Sequence, residues 1–476
     1  MPAPNVLMFI TDGHRADALG CAGSPIARTP AIDAFASQGV LCERTFCTHS
    51  VCMPTRGSIF TGRYPHIHGT WANGVALRRS ETTLPEVLAG HGYATCASGK
   101  VHFEPQQPYV QQFGGLSPRI DTSREPYYGF QEVHLSENHI GQEYIDFIRE
   151  NHPELEQRAL TRDRMPEELH DLQWITDRAI DFIQRQVAAG RPFLCSCSYH
   201  ELSPPCTPPE SYIGLFDPND MPVPELRPED LDLKPPFYRQ CYEGYLARNR
   251  HPDAPTLQRY LASYYDQLAF IDRQFARLMD VLKAAGAIDN TIVLFTADHG
   301  LSLNDHFQWR HGPFLFDQVI NVPMIWRVPG GRAGARSQGL IEGVDIMPTI
   351  LDLCGVPEPA GVQGRSLAPM LTGTVADSGR DSVLVQERHA PDLLARGLDP
   401  ELIWQVGVRT HDWKLVHYVD YPHGELYDLR EDPGEFHNLW ADPGYLPRRR
   451  EMEALLMERL ASSQDPLPVR EPDVHY

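Results

Sequence analysis

The sequence contains no apolar run long enough to cross a membrane. A membrane-spanning helix needs about 18 or more consecutive apolar residues, and no stretch of the 476-residue chain approaches that length. The chain enters a strand-like run at residues 5–10 with no basic segment or cleavage site ahead of it, and it begins with Met. Because a secretory signal carries both features, we expect a cytoplasmic protein without a membrane partner.

Basic residues are also scarce. Lys and Arg number 42 against 63 Asp and Glu, which leaves a formal net charge of −21. A net negative charge of this size repels nucleic acid at long range, so we expect no nucleic-acid partner. The charge does not exclude a small anionic substrate in a locally basic pocket.

The ten cysteines include no C-x-x-C pair, and this absence argues against a structural zinc site or a redox motif. Most of them lie in apolar runs and are expected to be buried thiols in a reducing compartment. With 42% hydrophobic and 22% charged residues, and with no internal repeat, the chain has a globular composition. A disordered protein and a disulfide-stapled miniprotein are both excluded.

Short β-rich runs alternate with long helical patterns over most of the chain. This alternation is typical of a large, mostly parallel sheet covered by helices on both faces, so the predicted fold class is α/β. The clearest predicted strands are residues 6–10, 193–199, 291–296 and 324–328, and the clearest predicted helices are residues 172–188 and 257–285.

Past about residue 400 the pattern changes to short alternating runs joined by turns, followed by a helical pattern at about 448–461. This predicts a small antiparallel sheet with one helix. We therefore divide the chain into a large catalytic α/β domain, residues 1–400, and a small C-terminal α+β subdomain, residues 401–476. Residues 103–170 and 201–255 are predicted to form excursions that build the substrate wall.

The strongest local pattern has the form C-x-P-x-R-x4-T-G and consists of Cys52, Pro54, Arg56, Thr61 and Gly62. Proline suits the first turn of a helix, so Cys52 should lie at a helix N-terminus, where free amides and the helix dipole favour an anion. The pattern resembles the formylglycine signature of the type I sulfatases, within the alkaline phosphatase superfamily.

The resemblance extends over nearly the whole chain and includes the segments at residues 99–102, 296–300 and 347–352. It implies an alkaline phosphatase-like fold. It also implies that a formylglycine-generating enzyme oxidises Cys52 to formylglycine, whose hydrated aldehyde carries two hydroxyls. In the family, one hydroxyl attacks sulfur or phosphorus, and the other later collapses to the aldehyde and expels the bound anion.

A single divalent cation is expected to lower the pKa of the attacking hydroxyl. The candidate ligands are residue 52, Asp12 after the first strand, and Asp298 with His299 after a later strand, since the carboxyl ends of parallel strands converge on one edge. Two carboxylates and one imidazole favour Ca²⁺, with Mn²⁺ or Mg²⁺ as alternatives. Gly13 stands where many sulfatases have a second Asp. The Asp-His pair resembles the phosphonate monoester hydrolases and the choline sulfatases.

Three further side chains are predicted to act on the transferred group. Arg56 follows Cys52 by one helical turn and can brace both the nucleophile and the oxygens of the anion. Lys100 and His102 are predicted to alternate on a strand end and to point the same way. In the resembling family, the lysine holds the nucleophile and the sulfate, and the histidine deprotonates the hemiacetal.

The chain departs from the family pattern at two positions. Ser203 stands where the family has a histidine, and His200 is a candidate substitute, with a purely structural hydrogen bond as its alternative. His311 takes the place of the family's second lysine, and a histidine there can donate a proton to the leaving group near neutral pH. The predicted substrate-binding residues are therefore Lys100, His200, Ser203 and His311.

The leading hypothesis is a hydrolase that cleaves small-molecule sulfate monoesters through formylglycine and one divalent cation. A phosphonate monoester or phosphodiester hydrolase on the same scaffold is the first alternative, because the nucleophile motif serves any tetrahedral anion. A catalytically silent binding protein of this fold is the second alternative, suggested by Gly13, Ser203 and His311. The sequence is compatible with a homo-oligomer and does not define the organic half of the substrate.

Overall fold

The structure is a computed structural model of the chain. It describes residues 2–105, 120, 122, 126–137, 142–161, 163–203, 205–247, 252–311, 313–388 and 404–467. The predicted domain boundary at residue 400 and parts of the predicted excursions at 103–170 and 201–255 lie outside the described residues.

The described strands all lie in one of three sheets. In chain order they are β1 (Asn5–Thr11), β2 (Val40–Cys42), β3 (Thr45–Phe46), β4 (Ala94–Gly99), β5 (Glu132–Leu135), β6 (Phe193–Ser198), β7 (Thr291–Ala297), β8 (Met324–Arg327), β9 (Ala335–Ser337), β10 (Ile341–Glu342), β11 (Val383–Arg388), β12 (Trp404–Arg409), β13 (Trp413–Tyr418) and β14 (Gly424–Asp428).

The described α-helices range from single turns to one long helix. In chain order they are α1 (Pro30–Ala36), α2 (Cys52–Thr61), α3 (Pro65–His68), α4 (Leu84–Gly90), α5 (Gln142–Asn151), α6 (Glu156–Thr161), α7 (Asp171–Ala188), α8 (Asp230–Leu233), α9 (Phe237–Ala247), α10 (Ala254–Ala284), α11 (Asp317–Ile320), α12 (Ile346–Cys354), α13 (Ala368–Leu371) and α14 (Leu446–Ser462).

The large sheet has eight strands in the order β5-β4-β6-β1-β7-β8-β2-β9. The five strands from β5 to β7 are all parallel to their neighbours, and β8 pairs antiparallel with both β7 and β2. Strands β4, β6, β1 and β7 are therefore consecutive in the sheet, and their carboxyl ends open on the same edge. The predicted mostly parallel sheet is confirmed.

Side chains of the central strands alternate between two separate cores. In β1, Leu7 and Phe9 pack in the core that contains residues of α1, α7 and α10, whereas Val6, Met8 and Ile10 pack in the core that contains residues of α2, α4 and α12. Successive strand side chains point to opposite faces, so both faces of the sheet are covered by helices, as predicted. Burying each large apolar side chain contributes about 1.5–3 kcal/mol.

The long helix α10 follows directly from its sequence pattern. The side chain of Asp253 accepts a hydrogen bond from the Thr256 amide at 2.9 Å and caps the N-terminus. Seven apolar residues at three-to-four spacing form the stripe that packs on the sheet, and all are buried: Leu261, Tyr264, Leu268, Ile271, Phe275, Leu278 and Leu282. Among the described residues, no helix is both long and apolar enough to span a bilayer.

The C-terminal sheet has four antiparallel strands in the order β11-β12-β13-β14, and α14 packs on it. Strands β12 to β14 lie where the alternating pattern predicted them. The first strand, β11, lies before the predicted boundary at residue 400, so residues assigned to the large domain contribute to this sheet. The two-domain division stays a prediction.

Candidate active site

The carboxyl ends of three strands of the large sheet supply the polar side chains of the candidate site. Asp12 directly follows β1, Asp298 and His299 follow β7, and Lys100 follows β4. All four side chains are at most 2% exposed. The close approach of β4 to β6 requires glycine at position 99, because a Cβ atom there would lie 1.9 Å from the Ser198 carbonyl oxygen.

Cys52 is the first residue of α2, as the proline pattern predicts, and its side chain is 5% exposed. Its Sγ lies 3.5 Å from Asp12 Oδ2 and 3.3 Å from His299 Nε2. The helix N-terminus therefore faces the strand ends, and the thiol is at the meeting point of the two.

Four residues bring one potential metal-ligand atom each to within 4.8 Å of one another, and we call them the ligand cluster: Asp12, Cys52, Asp298 and His299. They are the four residues predicted to bind a cation. Two carboxylates, one imidazole and the atom on residue 52 form an oxygen-rich set that fits Ca²⁺, Mn²⁺ or Mg²⁺. His299 Nδ1 lies 2.9 Å from the Gly300 carbonyl oxygen, which leaves Nε2 facing the cluster.

The electrostatic field of the ligand cluster favours positive charge. Burial lowers the pKa of the His299 imidazole, but the nearby Asp298, Cys52 and Asp12 more than offset it and raise that pKa to about 10. Burial raises the pKa of Asp12, but the charges of Lys100 and His299 outweigh it and hold the pKa well below its usual value. The cluster thus presents ionised oxygens at a point that attracts a cation.

Arg56 is completely buried one turn along α2. Its Nε donates to Asp298 Oδ2 at 2.8 Å, and its Nη1 donates at 2.8 Å to both the Lys100 carbonyl oxygen and Ser198 Oγ. The guanidinium therefore ties the nucleophile helix to the ends of three strands. The predicted bracing of residue 52 and of the anion by Arg56 stays a prediction.

Lys100 and His102 reach the cluster, but not from a strand. Strand β4 ends at Gly99, and His102 has a φ of 59°, so the expectation that the two alternate on a strand end is wrong. Lys100 Nζ forms an ion pair with Asp12 Oδ2. Burial, together with the charges of Lys100 and Arg56, holds the pKa of His102 well below its usual value, so its imidazole is neutral.

Glu137 holds this loop and was missed by the sequence analysis. Its Oε1 accepts the amide N–H groups of Val101 and His102 at 2.9 and 2.7 Å, and the side chain is 2% exposed. A carboxylate that accepts two consecutive amides replaces the hydrogen bonds that the chain loses on leaving β4. The only sequence signal was its position two residues after β5, on the same edge of the sheet.

The two residues at the first departure from the family pattern have different surroundings. Ser203 Oγ donates to Asp12 Oδ1 at 2.6 Å, so this hydroxyl orients a member of the ligand cluster. His200 is fully buried, and its Nε2 lies 2.7 Å from Asp171 Oδ2 at the start of α7. This contact favours the structural alternative for His200, whose predicted substrate contact stays untested.

His311 lies beside the ligand cluster. Its ring centroid is 4.5 Å from that of His299, and one of its nitrogens lies within 4.8 Å of the ligand atoms of Cys52 and His299. Unlike the ligand cluster it is not fully buried. The loop after β7 therefore returns to the same edge of the sheet, as predicted.

Gly13 occupies a position that favours glycine. Its φ is +67°, and an added Cβ atom would lie 3.1 Å from the Leu301 side chain. Its amide nitrogen lies 3.4 Å from Asp298 Oδ1. The residue thus contributes only backbone to the site, as its lack of a side chain predicts.

The segment ahead of Cys52 is held by the C-terminal sheet, which the sequence analysis did not anticipate. Glu387, on β11, accepts a hydrogen bond from Ser50 Oγ, and its Oε2 lies 3.2 Å from His49 Nδ1. Asn73 Oδ1 accepts the Met53 amide at 3.0 Å. No local pattern indicates these contacts, because Glu387 lies more than 330 residues from Ser50.

Comparison with known proteins identifies the family. The family model Sulfatase matches residues 4–356, and a model for the C-terminal part of N-sulphoglucosamine sulphohydrolase matches residues 305–463. The chain is 25% identical to the N-acetylglucosamine-6-O-sulfatase of Bacteroides thetaiotaomicron, covering 97% of this chain and 87% of that protein.

Two solved structures share the fold. The phosphonate monoester hydrolase of Silicibacter pomeroyi has a TM-score of 0.84 at 24% identity, covering 97% of this chain and 96% of that one. The phosphonate monoester hydrolase of Agrobacterium radiobacter has a TM-score of 0.81 at 26% identity, covering 98% and 97% of the two chains.

These matches confirm the resemblance, the alkaline phosphatase-like fold and the predicted enzyme class, a sulfuric ester hydrolase. The family model spans well over half of the chain. The protein therefore belongs to the sulfatase family of the alkaline phosphatase-like superfamily.

Proposed function

We propose that the protein hydrolyses sulfate monoesters of small molecules, with formylglycine formed from Cys52 as the nucleophile and one divalent cation as cofactor. The observation that carries the proposal is the position of the Cys52 thiol. It lies at the N-terminus of α2 and 3.3–3.5 Å from two candidate ligand atoms, on His299 and Asp12. A buried structural cysteine has no need of such neighbours.

Formylglycine supplies a hydrated aldehyde with two hydroxyls, one for attack on sulfur and one whose collapse expels the sulfate. Conversion needs a formylglycine-generating enzyme, which is the protein partner that the proposal requires.

The ligand cluster would hold the cation, with Ca²⁺ as our first choice and Mn²⁺ or Mg²⁺ as alternatives. A bound divalent cation supplies positive charge that lowers the pKa of a hydroxyl on residue 52. Ser203 orients Asp12 for this role through its 2.6 Å hydrogen bond, and Arg56 orients Asp298 through its 2.8 Å contact. Both carboxylates are thereby fixed before any ligand arrives.

The remaining residues handle the anion and the protons. Lys100 is the buried cation nearest Asp12 and balances the charge of the transferred group. His102, neutral in its buried position, accepts the proton of the hydroxyl that collapses. His311, on the more exposed side of the cluster, donates a proton to the leaving alkoxide.

A phosphonate monoester or phosphodiester hydrolase is the second candidate. The Asp298–His299 pair and the 26% identity to the Agrobacterium radiobacter enzyme favour it. Transfer of a tetrahedral anion in line to the same nucleophile is common to both reactions. A panel of 4-nitrophenyl sulfate, 4-nitrophenyl phenylphosphonate and bis(4-nitrophenyl) phosphate separates them by kcat/KM.

The test of the nucleophile is the intact mass of the peptide that contains Cys52. Conversion exchanges one sulfur and two hydrogens for one oxygen, and we expect this change in protein made together with a formylglycine-generating enzyme. Cys47 is buried five residues earlier, and a Cys47→Ser variant is the matched control that should still be converted. Unconverted Cys52 in fully active protein would refute the proposal. Absence of both conversion and turnover would favour the catalytically silent alternative.

A further inference from the structure

Arg388, the last residue of β11, is held between two tryptophans. Its Cζ lies 5.2 Å from the ring centroid of Trp71 and 4.3 Å from that of Trp404. Trp404 is 37% exposed, and Trp71 and Arg388 are half-buried. Two cation–π contacts therefore restrain the guanidinium.

No described residue supplies that interaction. Among the described ranges, no carboxylate lies within ion-pair distance of Arg388, and its Nε is buried without a hydrogen-bond partner. Buried arginines among the described residues are paired with acids, for example Arg56 with Asp298 and Arg380 with Glu342. Acids are abundant in a chain with a net charge of −21, yet none of the described ones pairs with this guanidinium.

The position of Arg388 relative to the nucleophile follows from strand register. Residue 386 forms a parallel bridge with His49, and its amide donates to the Thr48 carbonyl oxygen at 2.9 Å. Arg388 is two residues beyond this bridge and Cys52 is three residues beyond it, so the two residues belong to neighbouring segments of the chain.

Trp71 belongs to the same edge of the site. Its carbonyl oxygen lies 3.1 Å from His49 Nε2, and two residues later Asn73 accepts the Met53 amide on the first turn of α2. The stack is therefore built from the loop that packs on the nucleophile helix and from the C-terminal sheet. A side chain with the reach of arginine can contact the organic half of a substrate whose anion lies at residue 52.

We propose that Arg388 binds a second anionic group, a carboxylate or a sulfate, on the organic half of the substrate, and so selects substrates that carry two negative charges. The inference rests on the proposed function, because it takes residue 52 as the place of the scissile group. The flat, doubly stacked guanidinium presents parallel N–H donors that match either anion bidentately. The tryptophans hold the guanidinium in place and reduce the entropy lost when an anion binds.

The test uses two aryl sulfates, 4-sulfooxybenzoate and its methyl ester, which differ by one negative charge. The quantity measured is the ratio of their kcat/KM values, compared between wild type and Arg388→Gln so that the difference in leaving group cancels. We expect the variant to lower the ratio of acid to ester about tenfold, the value of one charge-assisted hydrogen-bonded contact. An unchanged ratio in folded Arg388→Gln would overturn the proposal.

Two further variants complete the design. Arg448 also stacks on an indole, that of Trp413, with its Cζ 5.0 Å from the ring centroid, but it lies on α14. Arg448→Gln is therefore the matched control and should leave the ratio unaltered. Arg388→Lys keeps the positive charge but loses the planar set of donors, so it should lower the ratio of acid to ester by a smaller factor than Arg388→Gln. If Arg388→Gln does not fold, an unchanged ratio in Arg388→Lys overturns the proposal.

Binding of both esters to the Cys52→Ala variant, measured by calorimetry, separates this inference from the proposed function. If the acid binds more tightly than the methyl ester, and if this difference disappears in the Cys52→Ala/Arg388→Gln double variant, the subsite is supported. This holds even if the wild type hydrolyses neither sulfate ester; in that case only the proposed function fails. Equal binding of acid and ester, or no binding of the acid, refutes the subsite whatever the turnover.

Discussion

The protein contains two buried ionic clusters that are built differently. The ligand cluster of Asp12, Cys52, Asp298 and His299 brings four potential ligand atoms within 4.8 Å of one another. A second cluster, which we call the interface cluster, joins helix α11 to the C-terminal sheet and consists of Asp317, Arg409, Lys414 and Glu435.

In the interface cluster each acid faces a base. Asp317 Oδ2 accepts from Arg409 Nη2 at 3.0 Å, Asp317 Oδ1 lies 3.2 Å from Lys414 Nζ, and Lys414 also pairs with Glu435. Acids and bases alternate along this cluster, so its charges pair with one another. In the ligand cluster the two carboxylates, the thiol and the imidazole converge instead. The difference indicates that burial of charge by itself does not mark a functional site, whereas convergence of ligand atoms does.

The largest effect should come from Cys52→Ala. Removing the precursor of the nucleophile leaves nothing to form the covalent bond, so turnover of the best sulfate ester should fall to background. The side chain is small and helix α2 retains its other contacts, so the melting temperature should change little. Steady-state kinetics and thermal unfolding check this together, and residual turnover well above background in the variant would exclude the covalent mechanism.

The second largest effect is expected from a variant that no longer binds the divalent cation. Asp298→Asn removes one of the two carboxylates of the ligand cluster, and we expect both the bound metal and the activity to be lost. Metal analysis of purified protein measures the first, and recovery of wild-type activity after chelation and addition of Ca²⁺, Mn²⁺ or Mg²⁺ identifies the ion. Asp289, 90% exposed and paired with Arg327, gives the control Asp289→Asn, which should retain the metal. Active wild-type protein that contains no metal would contradict the scheme.

His311→Ala should have a smaller and substrate-dependent effect. If His311 protonates the leaving oxygen, kcat should fall about a hundredfold on alkyl sulfates, whose leaving groups need the proton. On 4-nitrophenyl sulfate, whose leaving group is stable as an anion, the loss should be much smaller. A series of esters with graded leaving groups measures the trend. Equal losses across that series would assign His311 a structural role.

Asp317→Asn, in the interface cluster, is expected to have the smallest effect on activity. It should change stability rather than activity, unlike substitutions in the ligand cluster. Burial raises the pKa of Asp317, but Arg409 and Lys414 outweigh it and lower that pKa to about 2. An ionised Asp317 therefore stabilises the folded state above its unfolded pKa of about 4, and this contribution is lost as the pH falls towards about 2.

At pH 7 the Asp317→Asn variant should be less stable than wild type by about 3 kcal/mol while its metal content and kcat remain unaltered. The gap between the two free energies of unfolding should narrow below about pH 4. Denaturant titrations at a series of pH values measure it. Loss of metal from this variant would show that the two clusters are coupled.

Much of the fold could be predicted because the signals are local. The spacing of Leu261, Leu268 and Phe275 indicates the buried face of α10, and the alternating runs indicate β12 to β14. The local structure of Lys100 and His102 was predicted wrongly. The sequence Gly-Lys-Val-His is compatible with the end of a strand, and nothing in it indicates the contact with the Glu137 carboxylate. That carboxylate accepts the two amides that would otherwise have needed a neighbouring strand.

The sequence by itself determined the helix that begins at Cys52, the strands that end at Asp12 and Asp298, and hence the edge of the sheet at which the site forms. These depend on proline placement and on side-chain periodicity, which act over a few residues. Only the tertiary structure decided that Ser203 contacts Asp12, that His200 pairs with Asp171, and that β11 brings Glu387 to Ser50 and His49, just ahead of Cys52. Such contacts join residues 29 to 337 positions apart, and the packing of whole elements, rather than any local preference, decides them.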